Sequence, residues 1–532
     1  MNPHPHPHPH PHPEHTAEEH RVVIVGAGPV GLAAALLLAR SGVAVTVLER
    51  DEAPSTHPKA RGIRPRTMEL FMQWGIADPL YEIALPEEAN RFIYCDTLAG
   101  EEIARTGEVE ASGPSVSLAR ACRVAQDSAL RSILGAVRAE PLVTVRLGSP
   151  VVAIEQDDDG VRAVDASGAE HRGDYLIGAD GAASAVRRLL GIGMEGVPLI
   201  GYGQSIYWRG DLARWTADRL CIQFHTGARS GHPASVASVD GKDRWITMVM
   251  QPASESRPEP PTPEEAREII ALAVGAPAGE EVEPEILDIT TWRISAQVAE
   301  RWREGRVFLA GDAAHTFPPT GGFGMNTGIQ DAHNLAWKLA AVLSGDAAPT
   351  LLDSYEAERA PVARSNAAWS AENGARFRRI QAAIAAGDDE ALAAQLDEQR
   401  GHVDASDQDL AFRYPSGALD GDDPNTGSPL TEARLGSRFP ETWLEIDGET
   451  RSSNTDPARG FCVVVADPAL RAPARAVLER VGVPGSTALA AAPVLGASSA
   501  AVIRPDGIVA WCGDGDATEW EAALLRILGR RR

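Results

Sequence analysis

A chain of 532 residues, 44% of them hydrophobic, can bury more than one core and predicts two or three domains. Its formal net charge of -24, with no offsetting Lys/Arg cluster, argues against nucleic acid and membrane as partners. Cys95, Cys122, Cys221, Cys462 and Cys512 form no CxxC pair, which argues against a disulfide framework or a zinc site and for a reducing cytoplasm.

The opening MNPHPHPHPHPHPEH is a His-Pro repeat, read as a disordered tail over 1–20, and no export signal or 18-residue apolar window follows it. The stretch RVVIVGAGPVGLAAALLLARSGVAVTVLER (21–50) then predicts strand, glycine turn, a helix over Val30 to Arg40, and a second strand. Gly26, Gly28 and Gly31 stand at GxGxxG spacing, which allows a tight turn and lets the backbone approach a pyrophosphate on the positive helix end. Glu49 closes the second strand, where a carboxylate accepts hydrogen bonds from a ribose, and Arg50 beside it is counted with the cofactor contacts. The acid disfavours a phosphorylated ribose, leaving FAD or NAD for this slot.

The mixed strand and helix pattern continues to about Gly191. Residues 200–250 carry alternating stretches, QSIYWRGDL and DRWITMVMQ, that predict an antiparallel sheet, followed by a surface loop capping a helix that begins near Glu264. The apolar strand in GRVFLAGDAAH (305–315) returns to the first style, so an antiparallel insert interrupts the first domain. Helices are predicted from Thr327 to Leu343 and over 351–398, a linker over 414–429, and a separate domain of alternating strands and helices to the end.

The strand before Asp312 and the loop PPTGGFGMNTG decide between the two dinucleotides. The loop feeds a helix N-terminus, which stabilises the negative charge that a reduced flavin carries beside its pyrimidine carbonyl. An ordinary nicotinamide dehydrogenase has no use for such an element.

With the GxGxxG turn, DYLIGADGAASAVRRLLG and GDAAHTFPPTGGFGMN in this order within residues 21–360, the chain resembles group A flavoprotein monooxygenases of the para-hydroxybenzoate hydroxylase type. The resemblance implies an α/β fold: a Rossmann-type FAD-binding domain (21–192 and 293–413) interrupted by an antiparallel-sheet substrate domain (193–292), plus a C-terminal thioredoxin-like domain (430–532) of the phenol and polyketide hydroxylase kind. It implies that Asp312 binds the ribityl chain, that Gly324, Met325 and Asn326 line the pyrimidine end, and that Pro318 and Pro319 shape the flavin face where oxygen reacts. By position, Arg61, Arg123 and Gln126 would contact FAD phosphates or ribitol, and Asp180 with Gly181 would serve FAD and a visiting nicotinamide. Ala183 departs from the family's basic residue, for which Arg187 or Arg188 could substitute. His315 is read as a structural hydrogen-bonding group rather than a base. Trp208, Trp215 and Trp245, with Tyr207 and His225, are the candidates to line an aromatic substrate pocket, core packing being the other reading. Lacking a CxxC, Cys462 and Cys512 imply no redox role for the last domain, whose task is packing or assembly.

The implied activity is NADPH- or NADH-consuming hydroxylation of a phenolic or polyketide-derived aromatic substrate by dioxygen through a flavin C4a-hydroperoxide, by a cytoplasmic enzyme that could be a homo-oligomer. Baeyer–Villiger oxygen insertion, reduction of isoprenoid double bonds and a non-catalytic FAD-binding scaffold remain as alternatives.

Overall fold

The computed structural model describes residues 21–106, 116–254, 256–456, 460–490 and 492–531; the His-Pro tail lies outside them. The first sheet has six strands in the order Arg303–Glu304, Val307–Leu309, Tyr175–Gly178, Val22–Val25, Val45–Leu48 and Val143–Arg146. Its central strands pair in parallel, and Val22–Val25, Val45–Leu48 and Tyr175–Gly178 are buried at every residue. Burial on both faces is why these strands read as continuous apolar runs rather than alternating ones. A small three-stranded antiparallel sheet, Val151–Gln156, Val161–Asp165 and Glu170–Gly173, stands beside them.

Helix α1 (Pro29–Arg40) starts one residue earlier than expected, because proline is favoured in a first helical turn. Helix α2 (Gly324–Ser344) starts three residues earlier than expected and packs along α1. The helices approach so closely at Gly328 that a Cβ there would lie 2.6 Å from Val30 Cγ2. Helix α3 (Ser354–Ala386) ends at Gly387, which has φ 66°, and a separate helix covers Asp389–Asp404. The single helix expected over 351–398 is therefore two, since a left-handed glycine terminates the first.

The second sheet has eight strands in the order His315–Thr316, Glu285–Ala299, Met194–Arg209, Arg244–Pro252, Ala234–Ser238, Gln223–Thr226, Phe92–Cys95 and Glu102–Arg105. It exceeds the expected 193–292 insert at both ends. Phe92–Cys95 pairs in parallel with Gln223–Thr226, satisfying that strand's open edge. Glu285–Ala299 runs unbroken through the expected 292/293 boundary, paired with Met194–Arg209.

The third sheet has the order Glu449–Ser452, Trp443–Ile446, Gly485–Leu489, Phe461–Val465, Ala500–Ile503 and Val509–Gly513. The expected linker before it is packed rather than free: Tyr414, Ala418 and Asn425 are buried, and the Asn425 amide donates to the Ala433 and Leu495 carbonyls. A buried ionic cluster fastens this last unit to α2 and α3. Arg504 donates to both oxygens of Glu358 at 2.7 and 2.8 Å and is also paired with Asp506, while Lys338 Nζ donates to Glu358 at 2.8 Å. Burial alone would raise the Glu358 carboxyl, but Arg504 and Lys338 hold it well below the usual carboxylate range. A second cluster pairs Glu69 with Arg66 and Arg438, all buried. Among the described residues no helix is long and apolar enough to cross a membrane.

Candidate active site

The three glycines of the opening turn meet three different surroundings. Gly26 has φ 107°, and a Cβ there would lie 2.4 Å from the Ala179 carbonyl oxygen. One on Gly31 would lie 2.0 Å from the Gly26 carbonyl oxygen. At Gly28 nothing stands within 4 Å, and this residue precedes the N-terminus of α1, which has no side-chain cap. The first and third positions thus permit close packing, while the second leaves open space before free helix amides, the shape a pyrophosphate requires.

Glu49 is fixed at the strand end, its two oxygens accepting from Ala27 N at 2.7 Å and Asp51 N at 3.0 Å. Both contacts use backbone donors, so the carboxylate keeps lone pairs for a ribose diol. Arg50 is exposed, with Asp51 at 3.7 Å. Asp180 caps the helix Ala185–Leu189 through Ala185 N at 2.6 Å and Val186 N at 3.1 Å, and accepts from the Ser184 hydroxyl. What this segment presents to the dinucleotide slot is therefore its backbone beside Gly26. Arg187, the suggested substitute for the missing basic residue, donates to the Ala313 and Ala182 carbonyls and ties this segment to the Asp312 turn; Arg188 donates to the Ala183 carbonyl.

Asp312 has solvent-exposed surface yet is surrounded by protein, the situation of a group on a cleft floor. Burial pushes its carboxyl up, against the opposing pull of His315 and Lys59. The Gly311–Asp312 turn is held from behind by Asp331, which accepts from Gly311 N at 3.2 Å, contacts His315 Nε2 at 2.7 Å and accepts from Arg359 Nε at 2.8 Å. His315 and Asp331 are fully buried, which makes His315 a structural partner rather than a proton acceptor for substrate.

Gly324 opens α2 beside Asp312: a Cβ on it would stand 3.8 Å from Asp312 Oδ1, and the helix N-terminus has no side-chain cap. The Asn326 side chain is turned inward, accepting from Arg64 N at 2.9 Å and donating to Gly62 O at 3.1 Å and Gly322 O at 2.6 Å. It clamps the Gly62–Arg64 segment to the loop, so only its backbone remains for a pyrimidine ring. Met325 and Pro318 are buried and Pro319 is exposed. Thr320 Oγ1 donates to Ser370 O at 2.6 Å and Phe323 stands edge-on to Trp369, fixing the loop to α3. An open glycine cradle, an anchored acid, a carboxylate beside the α2 start and an uncapped helix end are the set of groups that FAD requires.

Comparisons with known proteins agree. A model described as FAD binding domain matches residues 19–370, and one described as aromatic-ring hydroxylase, C-terminal, matches 432–531. The chain is 34% identical over 550 residues to aklavinone 12-hydroxylase of Streptomyces purpurascens, covering 96% of this chain and 99% of that protein. The chain belongs to the FAD-dependent aromatic-ring hydroxylases. It is also 35% identical to 4-methyl-5-nitrocatechol 5-monooxygenase of a Burkholderia species, covering 95% of this chain and 96% of that protein. Among solved structures, the flavin-dependent monooxygenase PieE with FAD and substrate superposes with a TM-score of 0.87 at 29% identity. A ternary complex of aklavinone-11 hydroxylase with FAD and aklavinone gives 0.81 at 33%. Each superposition covers 96% of this chain and 99% of the other. These relatives are hydroxylases and monooxygenases, which favours hydroxylation over the Baeyer–Villiger, reductase and scaffold readings.

In this hydroxylase the side chains of Arg61 and Arg123 are held by neighbouring protein groups. Arg61 donates to Ile222 O at 3.1 Å and Gln223 Oε1 at 2.7 Å on the second sheet. Arg123 donates to Asn90 Oδ1 through Nε and Nη2. Gln126 exchanges hydrogen bonds with the Ala60 backbone, its N donating at 2.7 Å, and so fixes the segment that carries Lys59.

Strand alternation sorts the aromatic candidates of the hydroxylase. Trp208 is fully buried with Nε1 donating to Thr247 Oγ1 at 2.9 Å, and Trp245 Nε1 donates to Gly210 O at 2.9 Å. Both fill the core beneath the helix Pro263–Val274, with Trp215 packed against the same core, so Trp208 and Trp245 are corrected from pocket candidates to core residues. Tyr207 points to the opposite face, as the period of a strand requires, and packs with Ala125, Val239 and Ile246. His225 is buried, stacked on Tyr94 at 4.9 Å and against Phe377 of α3 at 4.7 Å. Burial and the nearby Arg61 push it down to about 3, so it is a neutral ring. Tyr94 and Phe377 join this face only through tertiary packing.

Proposed function

We propose that the enzyme oxidises NADPH or NADH and hydroxylates a phenolic or polyketide-derived aromatic substrate held between the Asp312–Gly324 channel and the Tyr207/His225 face of the second sheet. The observation that carries this reading is the uncapped N-terminus of α2 beside Asp312. FAD, when bound there, supplies the hydride acceptance and oxygen activation that the side chains cannot. The protein's part is to bind and orient: Gly28 and the α1 amides hold the pyrophosphate, Glu49 the ribose, Asp312 the ribityl chain, and the α2 amides the pyrimidine edge. Pro318 and Pro319 shape the adjoining face, and the apolar lining from Val239 and Ile246 keeps water from the reacting ring.

The sequence offers one GxGxxG turn followed by an acid, and FAD fills it, so the nicotinamide cofactor docks transiently on the FAD unit. The division into a FAD unit, a substrate sheet built on 193–292 with the added strands Phe92–Cys95, Glu102–Arg105 and His315–Thr316, and a last unit (430–532) belongs to the same proposal. A thioredoxin-like reading of that last unit is supported by Phe461–Val465 lying between the parallel strand Gly485–Leu489 and the antiparallel strand Ala500–Ile503. A cytoplasmic location is supported by five free, buried cysteines.

Anaerobic rapid mixing tests the proposal. NAD(P)H should bleach the flavin slowly alone and at least about tenfold faster with a true substrate, a barrier change near 1.4 kcal/mol. Equal rates across a panel of phenols and polyketides would contradict it.

A further inference from the structure

We propose that Arg61 and Arg123 form a slot for a carboxylate carried by the aromatic substrate. This rests on the hydroxylase reading above and narrows its substrate to an aromatic acid.

Each cluster of fully buried arginines described above has its acid. Arg66 and Arg438 have Glu69, Arg359 has Asp331, and Arg504 has Glu358 and Asp506. Arg61 and Arg123, both half-buried, differ. Their acceptors are the Ile222 carbonyl, the Gln223 amide oxygen and the Asn90 amide oxygen, all neutral. Among the described residues no carboxylate lies within 4.0 Å of either guanidinium. The two are neighbours: burial, then Arg64 and Arg61, push Arg123 down to about 9, and burial pushes Arg61 down to about 10. Both remain charged at neutral pH. Desolvated like charges with neutral partners destabilise a fold, and an anion supplied from outside relieves that cost.

The location fits a substrate rather than the FAD phosphates. Arg123 Nη1 rests where a Cβ of Gly62 would be, at 2.7 Å, and the Gly62 carbonyl accepts from Asn326 in the first turn of α2. The pair therefore sits against the segment that Asn326 clamps to the α2 start, on the side of the Gln223–Thr226 strand. The pyrophosphate cradle is at Gly28, before the α1 N-terminus. A small cavity joins the two guanidiniums to apolar walls from Leu85, Val124, Ile222 and Val239. Cationic forks beside an apolar wall match a planar carboxylate on an aromatic ring.

The test uses the full-length FAD-loaded protein and three probes: 1-hydroxy-2-naphthoate, its methyl ester and 1-naphthol. Binding is read from perturbation of the flavin absorbance, and turnover from NAD(P)H oxidation. The acid should bind at least about tenfold more tightly than ester or naphthol, the effect of one charge-assisted contact. Arg61→Gln and Arg123→Gln should each abolish that preference while ester binding and FAD content stay unchanged. An acid that binds no better than its ester, including an acid that does not bind, overturns the slot; so does a preference that survives in both variants, or loss of FAD from them. The wild-type comparison decides even where a variant does not fold. Ester and naphthol that bind as well as the acid and drive NAD(P)H oxidation would refute the slot and leave the hydroxylase reading standing. An acid preference without any stimulated oxidation would support the slot and count against that reading.

Discussion

Alanine at Gly31 and alanine at Gly28 should fail in opposite ways. The Gly31 methyl would meet the Gly26 carbonyl oxygen at 2.0 Å, a backbone atom with no rotamer to yield, so the turn must shift. Overpacking of this kind costs about 1–3 kcal/mol. The apoprotein should melt several degrees lower, since a domain of this size loses about 2–4 °C per kcal/mol. Gly28→Ala meets nothing within 4 Å, and its φ of -74° and ψ of 178° suit alanine. The apoprotein should lose at most about 1 kcal/mol through a poorer helix cap. Its methyl occupies the space of the pyrophosphate, so FAD should bind at least about tenfold more weakly. Flavin at about 100 times the parent Kd then stabilises the parent by about 2.7 kcal/mol and the variant by only about 1.4 kcal/mol. Melting of each apoprotein with and without FAD, together with a flavin-fluorescence titration, separates the two cases. A Gly28→Ala protein that binds FAD as tightly as the parent would refute the assignment of this cradle.

Arg504→Met should destabilise the whole chain by about 3–5 kcal/mol, because Glu358 is left buried with Lys338 as its remaining cationic partner; chemical denaturation checks this, and an unchanged midpoint would deny the cluster its fastening role. Asp409 is pushed by burial from 3.8 up to about 6, so the native state holds its proton longer than the unfolded chain and stability should fall as pH rises through that window. Asp409→Asn should remove that slope, worth up to about 3 kcal/mol, in urea melts at pH 4 and pH 6.5. Trp208→Ala should cost about 3–5 kcal/mol and leave the substrate KM of the folded fraction unchanged, as befits a core residue; a raised KM at parental stability would return it to the pocket. Replacing Cys462 and Cys512 with Ser should leave turnover intact, since burial pushes both thiols up to about 12.

What could be read along the chain follows from range. The glycine turn, Glu49 and the α2 start are local devices, each legible from its own few residues, and each has the geometry that its spacing demands. Asp331 was illegible because its partners, Gly311, His315 and Arg359, lie sixteen to twenty-eight residues away and meet only when α2 and α3 pack. The aromatic pocket was misread for a related reason: Tyr207 and Trp208 are neighbours in sequence, but a strand sends them to opposite faces, and composition does not say which face the helix Pro263–Val274 covers. The sheet edge at Phe92–Cys95 escaped notice because a strand recruited from over a hundred residues away carries no local mark of its partner.

Turnover under labelled dioxygen tests the central claim most directly. With NAD(P)H and an aromatic substrate, the account predicts a hydroxylated product carrying one labelled oxygen atom on the ring, dependent on bound FAD. A product without label, or one labelled as an ester or lactone, would contradict it.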